Sequence, residues 1–455
     1  MRNTLRRGRL ASLLRHLFGA TLPVLLFTML TLSLNLSATA TSPRPAPLDP
    51  PPPPTPDPDR PTAVVVAGAT GAESLDVLAP VGVLATSGHF DVVTAAPRRE
   101  VLPLFPGSPR LRGAEFLPHY DFAELDRALA GPPDVVVLPF VPRAGEPANA
   151  PLLAWLRANV SPDTVLLTIC GGSWVAAEAG LLDGRSATTH RNLFTMLEAR
   201  HPATDWVRGR RWVEDGNVVS SAGITAAVDA SLRVVERFAG RGEASATARR
   251  LGYRHLHLLD EPGFTVPVAS RATWRANSAW RIDRTDVGVV VGDGVGELEL
   301  AAVVDLYPRT GASTVQLVGD GVVTTRHGLH LVSTTSWDAA AGLDRLVVPG
   351  HGSPGAAAEV QALADGAGPP VTHLGHDPTT FAFDAALVDL ATHDSRSAAA
   401  LVATGVEYPL PTPLPGRRWP LEVVMIPALL AAMGAGATMW RRRRAATTRE
   451  AARWA

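Results

Sequence analysis

The sequence predicts an α/β fold: a three-layer domain with a mostly parallel sheet, in tandem with a shortened second copy, between hydrophobic terminal helices. Three observations carry this. From Thr62 to about His255, short apolar strands alternate with helical stretches, the pattern of a parallel sheet covered on both faces. The second half repeats the first in three ordered blocks. A long apolar run beside arginines stands at each end.

Taken in order, residues 1–41 hold five arginines, no acid and the apolar run Leu17–Leu36. That run leads to Ala38-Thr39-Ala40, a pattern suited to signal peptidase. A signal peptide or N-terminal membrane anchor is expected. Residues 42–61, with Pro51-Pro52-Pro53-Pro54, read as a stiff Pro-rich linker lifting the next domain from the membrane. The first domain, 62–255, has its clearest strands at Ala63–Val66, Asp91–Thr94, Asp134–Leu138 and Val165–Ile169. Helices are expected over Ser74–Thr86, Phe122–Ala130 and Ala150–Ala158. A linker, 256–285, leads to a degenerate repeat over 286–410. Residues 419–440 form a transmembrane helix with Trp419 and Trp440 at its interfaces, and Arg441–Arg444 opens a basic tail, 441–455. The positive-inside rule places both termini in the cytoplasm and the domains between them outside the cell membrane.

The repeat is specific in register. Val64–Thr94 lies on Val287–Leu317 without a gap, Asp134–Pro139 on Asp344–Pro349, and Asp229–Tyr253 on Asp384–Tyr408. Pro139 and Asp229 are 90 residues apart, whereas Pro349 and Asp384 are 35 apart. The 55 residues missing from the second copy are expected to include the counterpart of Cys170, the chain's single cysteine. The two copies are expected to pack as an intramolecular pseudo-dimer.

Composition excludes several functions. All 42 basic residues are arginine, which rules out a lysine Schiff base. Net charge is −1, yet each basic end carries +5, so the middle is acidic and nucleic acid is not an expected partner. One cysteine allows no intrachain disulfide.

Cys170 follows the apolar strand Thr164–Ile169 and precedes Gly171-Gly172 and a helical stretch ending at Gly180. A nucleophile at a tight strand-to-helix turn has the logic of the nucleophile elbow, with backbone N–H groups of Gly171 and Gly172 beside the sulfur. A free cysteine is more often a small buried hydrophobe, but this context favours the elbow. His190, in Ala187-Thr188-Thr189-His190, stands where a returning strand brings an imidazole beside the thiol. Asp76 begins the first helix, at the carboxyl edge where open parallel sheets hold their sites. His373-x-x-His376-Asp377 has metal-ligand spacing but no matching partner set, and Gly292-Asp293-Gly294-Val295-Gly296 lacks dinucleotide spacing; both read as loops. No metal or cofactor is expected.

Thr168-Ile169-Cys170-Gly171-Gly172-Ser173-Trp174, followed by Ala179-Gly180-Leu181-Leu182-Asp183-Gly184-Arg185-Ser186-Ala187-Thr188-Thr189-His190, resembles the ThiJ/PfpI superfamily, the class I glutamine amidotransferase-like domains. Gly71-Ala72-Glu73-Ser74-Leu75-Asp76 matches the family's first loop, and Glu214–Thr225 with Asp229 its following strand and final helix. The resemblance covers about Thr62–His255. It implies a flavodoxin-like fold, with Cys170 as nucleophile, Asp76 as neighbouring carboxylate and His190 as nearby imidazole. It further implies hydratase, glyoxalase-like or hydrolase chemistry on a small electrophile; the alternative is a non-catalytic ligand-binding or redox-sensing surface protein. Three departures narrow the reading. The peptidase-like branch carries His directly after Cys, where this chain has Gly171. Many relatives have Pro-Gly-Gly where this chain has Pro139-Phe140-Val141. Relatives with the Ala-Gly-Leu-Leu-Asp-Gly signature often carry a DNA-binding helix pair, replaced here by the repeat and membrane span.

Overall fold

The computed structural model describes residues 21–31, 51–265, 272–281, 284–350, 352–366, 368–375, 379–410 and 413–454. The first domain is built on β1 (Thr62–Val66), α1 (Ser74–Thr86) and β2 (Asp91–Ala96). These are followed by β3 (Leu102–Phe105), β4 (Ala114–Leu117), α2 (Phe122–Ala128) and β5 (Val135–Leu138). Next come α3 (Ala150–Asn159), β6 (Val165–Thr168), α4 (Gly172–Glu178) and α5 (Phe194–Arg200). The antiparallel pair β7 (Trp212–Asp215) and β8 (Val218–Ser221) precedes α6 (Ala226–Arg250). The main sheet runs β7-β8-β6-β5-β1-β2 with Tyr120–Asp121 at its edge, parallel throughout except for β7. Its central strands are buried along their whole length, so they read as continuous valine and leucine runs rather than alternating ones.

After α7 (Ala272–Trp280), a second half with its own sheet opens with β9 (Thr285–Val290), α8 (Glu297–Val304), β10 (Ser313–Val318), β11 (Val322–Thr324) and β12 (His330–Val332). Then come β13 (Arg345–Val348), α9 (Ala357–Asp365), β14 (Val371–His373), α10 (Ala382–His393) and α11 (Arg396–Gly405). Its order, β10-β9-β13-β14, is all parallel and matches β2-β1-β5-β6 of the first sheet. Individual bonds match as well. The Thr62 amide donates to Asp134 at 2.8 Å, and the Asp286 amide donates to Asp344 at 2.7 Å. Tyr253 donates to Asp229, and Tyr408 donates to Asp384, each pair 24 residues apart. α6 breaks at Gly240 where α10 and α11 are separated at Ser395.

Two expectations about this correspondence need correction. The Asp286–Asp344 bond places β9 one residue out of the ungapped overlay, because the loop before Gly294 is one residue shorter than that before Gly71. The second sheet has also kept its fourth strand. Ile169 donates to the Leu138 carbonyl as Leu374 donates to that of Val348, so Gly375 stands in the position of Cys170. Nine residues then separate Gly375 from Asp384, where 59 separate Cys170 from Asp229. What the second half lacks is therefore the segment after the position of Cys170.

The two halves pack through one continuous core. Every residue of α1 from Ser74 to Leu84 is buried, as a helix apolar on all sides must be. α1 lies between α6 and α8, and Gly82 admits Leu298 to a distance that a larger residue would obstruct. β12 adds to β4 antiparallel, giving a sheet β11-β12-β4-β3 that crosses from one half to the other.

Residues 51–61, the described part of the expected Pro-rich linker, lie against the first domain. Tyr120 donates to the Pro54 carbonyl, Arg99 to that of Pro51, and Arg60 pairs with Asp91 at 3.2 Å. At the far end, α12 (Leu421–Trp454) continues beyond Trp440 and contains a segment, Val423–Thr448, long and apolar enough to cross a membrane. The short apolar helix Thr21–Thr31 is the described part of the N-terminal run, and Ala38-Thr39-Ala40 lies outside the described residues.

His119 stitches the crossing sheet. Its Nδ1 accepts from the Thr94 amide at 3.1 Å, and its Nε2–H donates to the Gly328 carbonyl of the other half at 2.8 Å. Burial pushes its pKa down to about 4, and a proton on Nδ1 would face the Thr94 N–H. The unfolded chain takes up this proton near pH 6.5, so stability falls below that pH, by roughly 2 kcal/mol at pH 5 from this group alone. Melting of the detergent-solubilised chain is expected to fall between pH 7.5 and 5, and His119→Asn to flatten that fall. An unchanged slope in the variant contradicts this role.

Candidate active site

The site sits at the carboxyl edge of β5 and β6. Cys170 follows β6 with φ of +55°, in the left-handed region that non-glycine side chains seldom adopt. Its amide donates to the Ser221 carbonyl, and Thr189 donates to its own carbonyl at 2.9 Å, so both flanks of the turn are pinned. The two glycines that follow are sterically required. A Cβ on Gly172 would lie 1.8 Å from the Leu138 carbonyl oxygen, and one on Gly171 would lie 2.4 Å from the Phe140 ring. The Gly171 amide faces the sulfur and favours its charged form. The Gly172 amide, expected as a second donor, is bonded to the Ile169 carbonyl at 2.7 Å and takes no part.

Asp76 lies in the first turn of α1 and is fully buried. Its Oδ2 accepts from the Phe140 amide at 2.9 Å, while Oδ1 is buried with no hydrogen-bond partner. Pro139-Phe140-Val141, which departs from the glycine turn, thus spends its amide on orienting Asp76. Glu73, also buried, caps α1 by accepting from the Asp76 amide at 2.7 Å, and it receives the Gly107 amide. Burial raises the pKa of both carboxyls well above the ordinary range, and Asp305 close by raises them further. Burial, then Asp76, Glu73 and Glu407, likewise push the Cys170 thiol up.

His190 lines the same cavity as Cys170, yet makes no hydrogen bond to it. Its Nε2 lies 3.4 Å from the Gly405 carbonyl and 3.9 Å from Glu407, and its Nδ1 accepts from the Asn192 amide. Burial pushes its pKa down to about 4, so the ring is neutral at physiological pH.

Sequence reasoning missed the residues that the second half inserts. Arg309 donates to Glu73 at 2.6 Å and to Asp305 at 2.7 Å, and Asp305 also accepts from Ser74. Those two carboxylates hold Arg309 firmly protonated against its burial. Glu407 is 4% exposed with φ of +55°, in the place where the first half has Gly252 at the end of its helix. The Glu73–Arg309 pairing has no local signal, because its partners are 236 residues apart. The glutamate in a glycine position was visible once the overlay of Asp229–Tyr253 on Asp384–Tyr408 was drawn. Together these residues enclose a cavity of about 470 Å³ with Cys170, Phe140, His190 and Arg309 on its walls. Of the His373-x-x-His376-Asp377 segment, His373 ends β14, while His376 and Asp377 lie outside the described residues. Among the described residues no cluster of three metal-ligating side chains is present.

Residues 62–237 match the family model described as DJ-1/PfpI. An isonitrile hydratase of Pseudomonas putida is 34% identical over 104 residues, covering 22% of this chain and 43% of that protein. The HTH-type transcriptional regulator CdhR of Pseudomonas aeruginosa is 39% identical over 106 residues, covering 23% of this chain and 30% of the regulator. The match thus spans less than half the length of either relative. A crystal structure of Drosophila melanogaster DJ-1beta aligns at 25% identity with a TM-score of 0.35, covering 42% of this chain and 96% of that one. Over residues 62–237, then, the chain carries a domain of the DJ-1/PfpI family, within the ThiJ/PfpI superfamily.

Proposed function

We propose that this protein is a membrane-anchored enzyme whose Cys170 adds to a small electrophile, with Asp76 moving the proton. The observation that carries this reading is the strained Cys170 on a 470 Å³ cavity beside a buried, raised carboxyl with one oxygen unpaired. Asp76 is the buried carboxyl that acts electrostatically on the thiol, and its raised pKa suits a group that takes up and releases a proton. With an isonitrile, the class named for one relative, sulfur bonds to the terminal carbon. The thiol proton passes through Asp76 to that same carbon, giving a thioimidate. Water then adds across the C=N bond, oxygen to this carbon and a proton to nitrogen; the C–S bond breaks as the hydroxyl proton passes to sulfur, and a formamide leaves. Gly171 in place of histidine argues against peptidase action. His190, neutral and bonded away from the sulfur, is a wall of the pocket rather than the base. The second domain acts as a built-in partner, supplying Arg309 and Glu407.

Ligand binding without turnover is favoured by one observation, the upward-shifted thiol, which leaves little thiolate at neutral pH. The same shift counts against a redox sensor. The apolar α12 and its arginines support anchoring with a cytoplasmic tail and extracytoplasmic domains. The acidic middle of the chain supports the absence of a nucleic-acid partner.

Three outcomes are expected. Alkylation of Cys170 has a pH midpoint above the free-thiol value of about 8.5, and Asp76→Asn lowers it by removing a neighbouring negative charge; a midpoint at or below 8.5 contradicts the electrostatics. The full chain converts an aryl isonitrile to the N-arylformamide, with Cys170→Ala inactive and Asp76→Asn slowed by about 10²–10⁴-fold. Turnover that survives Cys170→Ala sinks the mechanism, and saturable binding without product supports the ligand-binding reading. Protease added to intact cells digests residues 62–410, whereas digestion only after lysis reverses the topology.

A further inference from the structure

Both apolar terminal helices meet the globular part of the chain at one corner, and α7 forms it. α7 lies in the segment joining the two halves and packs on both α11 and α12. At its end the Trp280 indole donates to Thr28 at 3.0 Å, and Thr31 donates to the Ala279 carbonyl, so the helix Thr21–Thr31 is held there too. Asp394 closes the corner. Its carboxylate accepts from Asn277 at 3.3 Å and Arg281 at 3.0 Å, and its carbonyl accepts from Arg417, just ahead of α12, at 2.8 Å.

The outer face of this corner is aromatic and cationic. Trp274 is 46% exposed and Trp419 38%. Arg275 and Arg418, exposed beside them in sequence, make no side-chain hydrogen bond or ion pair among the described residues. Arg284, just past α7, is half-buried with its Nε enclosed and unpartnered. Burial and the neighbouring Arg281 press its pKa down, an unfavourable placement for a cation without an anion. Asp394 does not supply that anion, because it is already committed to Asn277 and Arg281. Tryptophan beside arginine suits the boundary of a bilayer, with rings at headgroup level and guanidinium groups on phosphate oxygens.

We propose that this corner rests on the membrane surface, with Trp274 and Trp419 among the phospholipid headgroups and Arg275, Arg284 and Arg418 on their phosphates. The contact rests on the membrane anchoring proposed above and adds a second attachment outside α12. α11 runs from this corner, where the Ser397 amide donates to the Arg418 carbonyl, to the wall of the Cys170 cavity at Leu401 and Thr404. Docking the corner therefore fixes how that cavity faces the bilayer.

The test uses the full chain with Cys170→Ala, which leaves it free of cysteine, in vesicles of phosphatidylcholine and phosphatidylglycerol carrying a nitroxide on the headgroup. An NBD fluorophore is attached at Arg275→Cys or, as a control on the amino edge of the first sheet, at exposed Asp163→Cys. The nitroxide is expected to dim the label at Arg275→Cys at least twofold and to leave that at Asp163→Cys unchanged. Adding Arg284→Gln and Arg418→Gln, which strand no buried carboxylate, should recover at least half of the lost emission. Melting temperature checks that this variant folds, and Arg418→Gln alone, at an exposed position, replaces it should it prove unstable. Vesicle flotation separates the contact from the anchor. A chain that floats with the two labels dimmed equally overturns the contact and leaves the anchor standing, whereas a chain that does not float overturns both. Dimming unchanged in the folded arginine variant overturns the assignment to phosphate.

Discussion

The knot of Arg309, Glu73, Asp305 and Ser74 holds the sheet edge that carries Cys170 and the second half to one another. Two carboxyl groups with no exposed side-chain surface and a guanidinium at 15% exposure share three hydrogen bonds, and Ser74 at the start of α1 adds a fourth. Ions taken out of water are tolerable only when paired and hydrogen-bonded, and removing one partner of such a group costs about 3–5 kcal/mol. The first domain alone would leave Glu73 without its cation. This constraint ties the geometry of Cys170 to the second domain, because Glu73 also fixes the Asp76 amide and the Gly107 loop.

Charge explains the site's resting chemistry. Cys170 lies among Glu73, Asp76 and Glu407, while the Gly171 amide and the Arg309 charge favour its ionised form. Arg309 is nearby, but its charge is already engaged by two carboxylates. An elbow backbone does not by itself guarantee a thiolate. The left-handed turn aims the sulfur, and the surrounding field decides its proton.

Local pattern exposed much of this in the chain. The runs Ala63–Val66, Asp134–Leu138 and Val165–Ile169 announced a buried parallel sheet, and Cys170-Gly171-Gly172 announced the turn. The match of Asp229–Tyr253 with Asp384–Tyr408 anticipated a hydrogen bond made twice. Other features lie where pattern has no reach. A one-residue slip in a valine-rich strand leaves similarity nearly unchanged, so only the paired bonds of Asp134 and Asp344 reveal it. Gly375 carries no side chain to mark its correspondence to Cys170. His190 sits at the spacing expected of a catalytic base, yet its ring is turned to Gly405 and Asn192. Polyproline composition reads as a spacer, but Tyr120 and Arg99 capture it through backbone carbonyls, which composition does not encode.

Joining both halves in one chain has a consequence for how the protein can vary. In a pair of identical subunits, every substitution is written twice, and a change that helps one pocket is imposed on the other. Here Cys170 and Gly375 are separate letters of one text, as are Phe140 and Gly350, or Arg309 and Thr86. The symmetry survives in the strands while the two sheet edges are free to diverge, and neither depends on protein concentration to find its partner.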